Sequence, residues 1–66
     1  MTVTINDKPV NIAPGATLAD ALAQANAPVN GIATALNGTV VPAAQRASTP
    51  LSEGDTILII KAFYGG

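Results

Sequence analysis

An α+β fold, with a mixed sheet of four to five strands packed on one helix, is predicted by three features of this chain. Segments of two-residue apolar alternation stand on both sides of a single alanine- and leucine-rich stretch with helical spacing. Tight-turn residues join neighbouring strand segments, most clearly Asn37-Gly38. A last aliphatic strand, Thr56–Lys61, follows a Ser-Glu-Gly-Asp turn. With 66 residues the chain makes one small domain, which buries only about 60% of the surface its unfolded form exposes. Its hydrophobic content of 48% is too high for a disordered segment, so a packed core of modest stability is expected.

The elements follow in order. Val3 and Ile5 alternate with Thr2 and Thr4, Asn6-Asp7-Lys8 supplies turn residues, and Val10 and Ile12 alternate with Pro9 and Asn11: an opening hairpin. Pro9 sits near the start of its strand, where a missing ladder donor is tolerated, and Pro14-Gly15 redirects the chain. A helix then starts at Thr17, which with Asp20 forms a variant of the capping box. Leu18, Ala21, Leu22 and Ala25 share one of its faces, and Pro28 and Gly31 mark its end. The alanines in 19–27 also fit a two-residue period, but alanine favours helix over strand. Ile32–Leu36 reads as the next strand, and the Asn37-Gly38 turn leads into Thr39–Val41, ended by Pro42. Residues 42–50 show no sustained period and read as loop with one helical turn, anchored by Leu51. A hairpin, a helix, a second hairpin and a closing strand make a sheet with one face beneath the helix, the β-grasp or ubiquitin-like architecture. Residues 1–62 form this domain, and 63–66 a flexible tail ending in Gly-Gly.

Composition excludes several function classes. Without cysteine or histidine there is no thiolate metal site, no disulfide framework and no side-chain nucleophile paired with an imidazole. No bound metal or cofactor is expected. The net charge is −1, with Lys8, Arg46 and Lys61 scattered and only Phe63 and Tyr64 aromatic, which gives no surface for nucleic acid. Residues 1–12 do not form a signal peptide, and the longest aliphatic run, Ile57-Leu58-Ile59-Ile60, is far too short to cross a bilayer. No membrane association and a cytoplasmic location are the expectations. Asp7, Asp20, Glu53 and Asp55 are spread over turns and a helix start, where carboxylates accept from backbone amides, so a paired acid/base site is not expected.

What remains is Gly65-Gly66. Glycines can thread a narrow channel in torsions closed to other residues, and the carboxylate behind them is ionised at neutral pH and needs activation before it reacts. A frayed end is the other reading of the same two residues.

Ala35-Leu36-Asn37-Gly38-Thr39-Val40-Val41-Pro42, then Glu53-Gly54-Asp55-Thr56-Ile57, then Gly65-Gly66, in this order and spacing, resemble the sulfur carriers of thiamin biosynthesis, the ThiS family. The basic residue and tryptophan that commonly follow the proline in that family are replaced here by Ala43 and Ala44. The resemblance implies a protein co-substrate rather than an enzyme. An E1-like adenylyltransferase would use ATP and magnesium to adenylate Gly66, and sulfur from a donor such as a cysteine desulfurase persulfide would convert it to a thiocarboxylate. Thiazole synthase would then take that sulfur. Related alternatives are a carrier for molybdopterin or another pathway, and a ubiquitin-like modifier; a binding-only module with an inert tail is a third.

Strand alternation places a candidate partner surface. With Ile57 and Ile59 facing the helix alongside Leu36, Val3 and Ile5, the side chains of Leu58 and Ile60 face outward beside Ala33 and Ala35. The competing expectation is that loops or self-association cover them. Phe63, Tyr64 and Gly65 are expected to present the tail to partners, with Lys61 either meeting an acidic partner or solubilising the last strand.

Overall fold

The computed structural model describes residues 1–27 and 31–61, for Lys61 the backbone alone. Strand β1 (Thr2–Ile5) turns into β2 (Lys8–Asn11), helix α1 (Leu18–Gln24) follows, and β3 (Ile32–Leu36) turns into β4 (Thr39–Val41). A 3-10 helix (Ala43–Ser48) then leads to β5 (Thr56–Lys61). The sheet has the order β2-β1-β5-β3-β4, so the last strand lies at its centre. β5 runs parallel to β1 and antiparallel to β3, which makes the sheet mixed, as in the β-grasp fold.

Both hairpins turn on residues that accept positive φ. Asn6 and Asp7 sit at φ 49° and 68°, and Asn37 and Gly38 at 51° and 87°, the paired left-handed torsions whose twist suits two-residue hairpins. The first turn is thus Asn6-Asp7 alone, and Lys8 already belongs to β2, opposite Ile5. Pro9 is tolerated because β2 is an edge strand.

Thr17 caps α1 in a full capping box. Its hydroxyl accepts from the Asp20 amide at 3.3 Å, and the Asp20 carboxylate accepts from the Thr17 amide at 2.9 Å. Leu18, Ala21 and Leu22 are buried, but Ala25 is not: the helix ends at Gln24, Ala25 is its C-cap and is exposed. Asn26, at φ 57°, takes the left-handed position that stops the helix, earlier than the Pro28 and Gly31 signals suggested. Pro28 itself lies outside the described residues.

The core joins Val3, Ile5, Val41 and Ile57 from the sheet to Leu18, Ala21 and Leu22 from the helix, and Ile12, Ala16 and Leu51 close its rim. Leu36 and Ile59 are partly buried against it, the side expected for them. The segment expected as loop carries more structure than one turn. Its six-residue 3-10 helix is followed by backbone bonds that tie it to the helix start, from the Leu18 amide to the Thr49 carbonyl and from the Leu51 amide to the Ala16 carbonyl.

Arg46 explains why that segment is ordered. Far from being a scattered surface charge, it is buried, and its Nε donates to Thr34 Oγ1 at 3.2 Å while an Nη donates to the Ile32 carbonyl at 3.0 Å. Thr34, only 1% exposed, donates in turn to the Val41 carbonyl at 3.0 Å. One threonine hydroxyl therefore links β3, β4 and the 3-10 helix inside an otherwise apolar core. Replacing it with the isosteric valine removes both bonds, at a cost of about 1–3 kcal/mol. Thr34→Val is expected to melt about 5–15 °C lower by circular dichroism with unchanged secondary structure.

Candidate functional site at the outer sheet face and the last strand

The helix covers one face of the sheet and leaves the other without a covering layer among the described residues. Because Ile57 is 1% exposed and inward, its neighbours on β5 turn out: Leu58 is 48% exposed and Ile60 50%. The register sets Ala35 opposite Leu58 and Ala33 opposite Ile60, and Ala33 is exposed and Ala35 half-buried. All four candidate patch residues therefore lie together on the outer face. Val40 joins them. It is 70% exposed and stands opposite Ala35 on β4, extending the apolar row from Leu58 through Ala35 to the sheet edge. Alternation with the buried Val41 was the signal that could have placed it there.

The same parity extends the face across β1 and β2. With Val3 and Ile5 inward, Thr2 and Thr4 turn outward, opposite Asn11 and Pro9. No Asp, Glu, Lys or Arg stands among these outward strand positions. A contiguous uncharged face with small alanines flanked by larger aliphatics can dock an apolar surface with little desolvation of charge.

Asp20, Glu53 and Asp55 accept from backbone amides, as expected of carboxylates at turns and a helix start, though Glu53 reaches across to β1. Both Glu53 oxygens accept from the Thr2 amide at 3.1 Å. Asp55 Oδ2 accepts from the Ser52 amide at 2.7 Å, while its Oδ1 accepts from Asn37 Nδ2 at 3.0 Å. Asn37 Oδ1 accepts from the Thr56 amide at 2.9 Å, which fixes where β5 begins. Among the described residues no group of three or more acidic side chains is placed to hold a metal ion, and no helix is long and apolar enough to cross a membrane.

β5 is the element that delivers the final residues. From the centre of the sheet it continues to Lys61, paired there with Ile32 of β3. Phe63, Tyr64, Gly65 and Gly66 lie outside the described residues, as does the Lys61 side chain.

The ThiS family model matches residues 3–66. The sulfur carrier protein ThiS of Escherichia coli strain K12 is 33% identical over 66 residues, covering all of both chains. This chain belongs to the ThiS family. A crystal structure of the thiamine biosynthesis protein ThiS from Geobacter metallireducens superposes with a TM-score of 0.85 at 25% identity, covering both chains in full. An NMR solution structure of a thiamine biosynthesis protein from the same organism gives 0.74 at 28% identity, covering all of this chain and 87% of that one. As a ThiS-family member the chain is a small sulfur carrier of thiamine biosynthesis rather than a catalyst. Such a carrier works between the enzymes that load and unload it. The ThiS-family match spans both the outer sheet face and the two final glycines.

Proposed function

We propose that this chain carries sulfur on the carboxyl group of Gly66, as a thiocarboxylate made by an E1-like adenylyltransferase and spent by thiazole synthase. The supporting observation is the placement of β5: the central strand of the sheet runs through the uncharged outer face and is followed in sequence, with no linker, by five residues ending in Gly65-Gly66. Face and tail are thus offered together. A partner that binds Leu58 and Ile60 holds the strand from which the tail departs.

The chemistry is what the ThiS resemblance implies, and the composition fits it. With no cysteine, it has no side-chain thiol on which sulfur could ride, and a carboxylate is a poor electrophile. Attack of a Gly66 carboxylate oxygen on the α-phosphorus of ATP, with magnesium on the partner, expels pyrophosphate and leaves an acyl-adenylate. The terminal sulfur of a persulfide, such as a cysteine desulfurase carries, displaces AMP from the carbonyl. A thiol then cleaves the acyl disulfide so formed and leaves the thiocarboxylate, a better nucleophile than the carboxylate it replaces. At thiazole synthase that sulfur enters the thiazole and the carboxylate returns. Every catalytic side chain belongs to a partner. Gly65 gives the tail clearance, and Phe63 and Tyr64 seat it. A cytoplasmic location, as expected from the sequence, is compatible with an ATP-dependent partner.

Activation can be read as pyrophosphate exchange into ATP by the cognate adenylyltransferase. Full-length chain is expected to support exchange, and a chain lacking Gly66 to support none while melting at the same temperature. Equal exchange by both would remove Gly66 from the chemistry.

A further inference from the structure

β5 is not held equally along its two edges. On the β3 side pairing continues to Lys61, but on the β1 side the ladder stops at Ile5 opposite Ile57. Beyond it the Asn6 amide still donates to the Ile57 carbonyl at 3.0 Å, and then β1 turns away into its hairpin. The next backbone groups on that edge belong to Ile59. They are met by a side chain: Asn6 Oδ1 accepts from the Ile59 amide at 2.8 Å, and Asn6 Nδ2 donates to the Ile59 carbonyl at 3.3 Å. A carboxamide carries one acceptor and two donors in a plane, so it can pair with both groups of one residue much as a neighbouring strand does. Asn6 can do this because its φ of 49° turns the backbone away while the side chain remains at the edge of β5.

We infer that Asn6 is a positioning residue for the carrier reaction: it stands in for the missing strand at Ile59 and fixes the direction in which the last residues leave the sheet. This rests on the carrier role proposed for Gly66. Ile59 stands seven residues before Gly66, in the part of β5 that leads directly to the tail in sequence. Both bonds are exposed to solvent and add little to global stability. Their effect is on the conformational freedom that a partner must remove when it binds the tail.

Asn37 provides a matched control. It too sits in a two-residue turn at positive φ, 51°, and its side chain binds β5 backbone, but at Thr56, where the strand begins. Glycine accepts positive φ at either position, so Asn6→Gly and Asn37→Gly each delete a side-chain clamp without straining the turn. Pyrophosphate exchange with the cognate adenylyltransferase is measured against carrier concentration for wild type, both glycine variants and Asn6→Asp. Asn6→Gly is expected to raise KM for the carrier about tenfold with kcat nearly unchanged and to speed hydrogen exchange at the Ile59 amide. Asn6→Asp, which keeps the acceptor for that amide, should recover part of the loss. Asn37→Gly should leave KM as in wild type, and both glycine variants should melt close to the wild-type temperature. A wild-type KM in Asn6→Gly, or an equal rise in Asn37→Gly, overturns the positioning role and leaves the carrier reading intact. Absence of exchange by the wild-type chain overturns both.

Discussion

Leu58→Glu is expected to lower activation by the adenylating partner about a hundredfold while melting within about 5 °C of the wild type. Leu58 is half exposed on a central strand whose backbone pairs with β3 at that point, so a glutamate there stays hydrated and the fold tolerates it. In a complex the same carboxylate would be trapped against an apolar surface. Truncating a central interface residue commonly costs 2 kcal/mol or more, and burying an unpaired charge adds to that, so a total of about 3 kcal/mol, or a hundredfold, is the expected scale. The comparison that decides is activity against stability. An exchange rate near wild type would show that the outer face is not the docking surface, and a parallel fall in melting temperature would place Leu58 in the core instead.

Ile57→Ala is expected to do the reverse. One residue earlier on the same strand, Ile57 is buried among Val3, Ile5, Leu18 and their neighbours. Removing its methyl groups leaves a cavity and costs about 2–5 kcal/mol. A domain of this length has a total stability of only about 3–10 kcal/mol, so the variant should melt at least about 10 °C lower or be largely unfolded at ambient temperature. Whatever fraction remains folded should be activated normally, because the outer face is unchanged. Thermal melting by circular dichroism and exchange kinetics at low temperature separate the two effects. A stable Ile57→Ala with impaired activation would reverse the assignment of the two faces.

These paired outcomes follow from an alternation visible in the sequence, which is why the sheet was readable in advance. The two-residue period of Thr56–Lys61 sets Ile57 and Ile59 on one side and Leu58 and Ile60 on the other, and both hairpin turns announce themselves by residues that accept positive φ. The helix start was equally legible, because Thr17 and Asp20 satisfy each other's amides locally.

Long-range contacts were not legible. Arg46 looks like an ordinary surface cation in a segment without periodicity, and its burial depends on Thr34, twelve residues away, and on the Ile32 carbonyl. Asn6 reads as a turn residue, which it is; its second role depends on Ile59, 53 residues later, meeting it across the parallel strand pair. The helix end was misplaced for a simpler reason. Asn26 adopts the left-handed stop before Pro28 or Gly31 can act, and nothing in the alanine pattern distinguishes Ala25 from the buried Ala21. Chemistry at Gly66 was inferred from the absence of competing groups and from the family resemblance rather than from any periodic pattern.

The central claim is that Gly66 carries the sulfur, and intact-mass measurement tests it most directly. The chain is incubated with its cognate adenylyltransferase, ATP, magnesium, a persulfide donor and a thiol, then weighed beside a chain lacking Gly66. The account predicts that the full-length chain gains the mass difference of one oxygen replaced by one sulfur and that the shortened chain is unchanged. No such gain in the full-length chain, or high-mass conjugates to lysines of other proteins in its place, would contradict it.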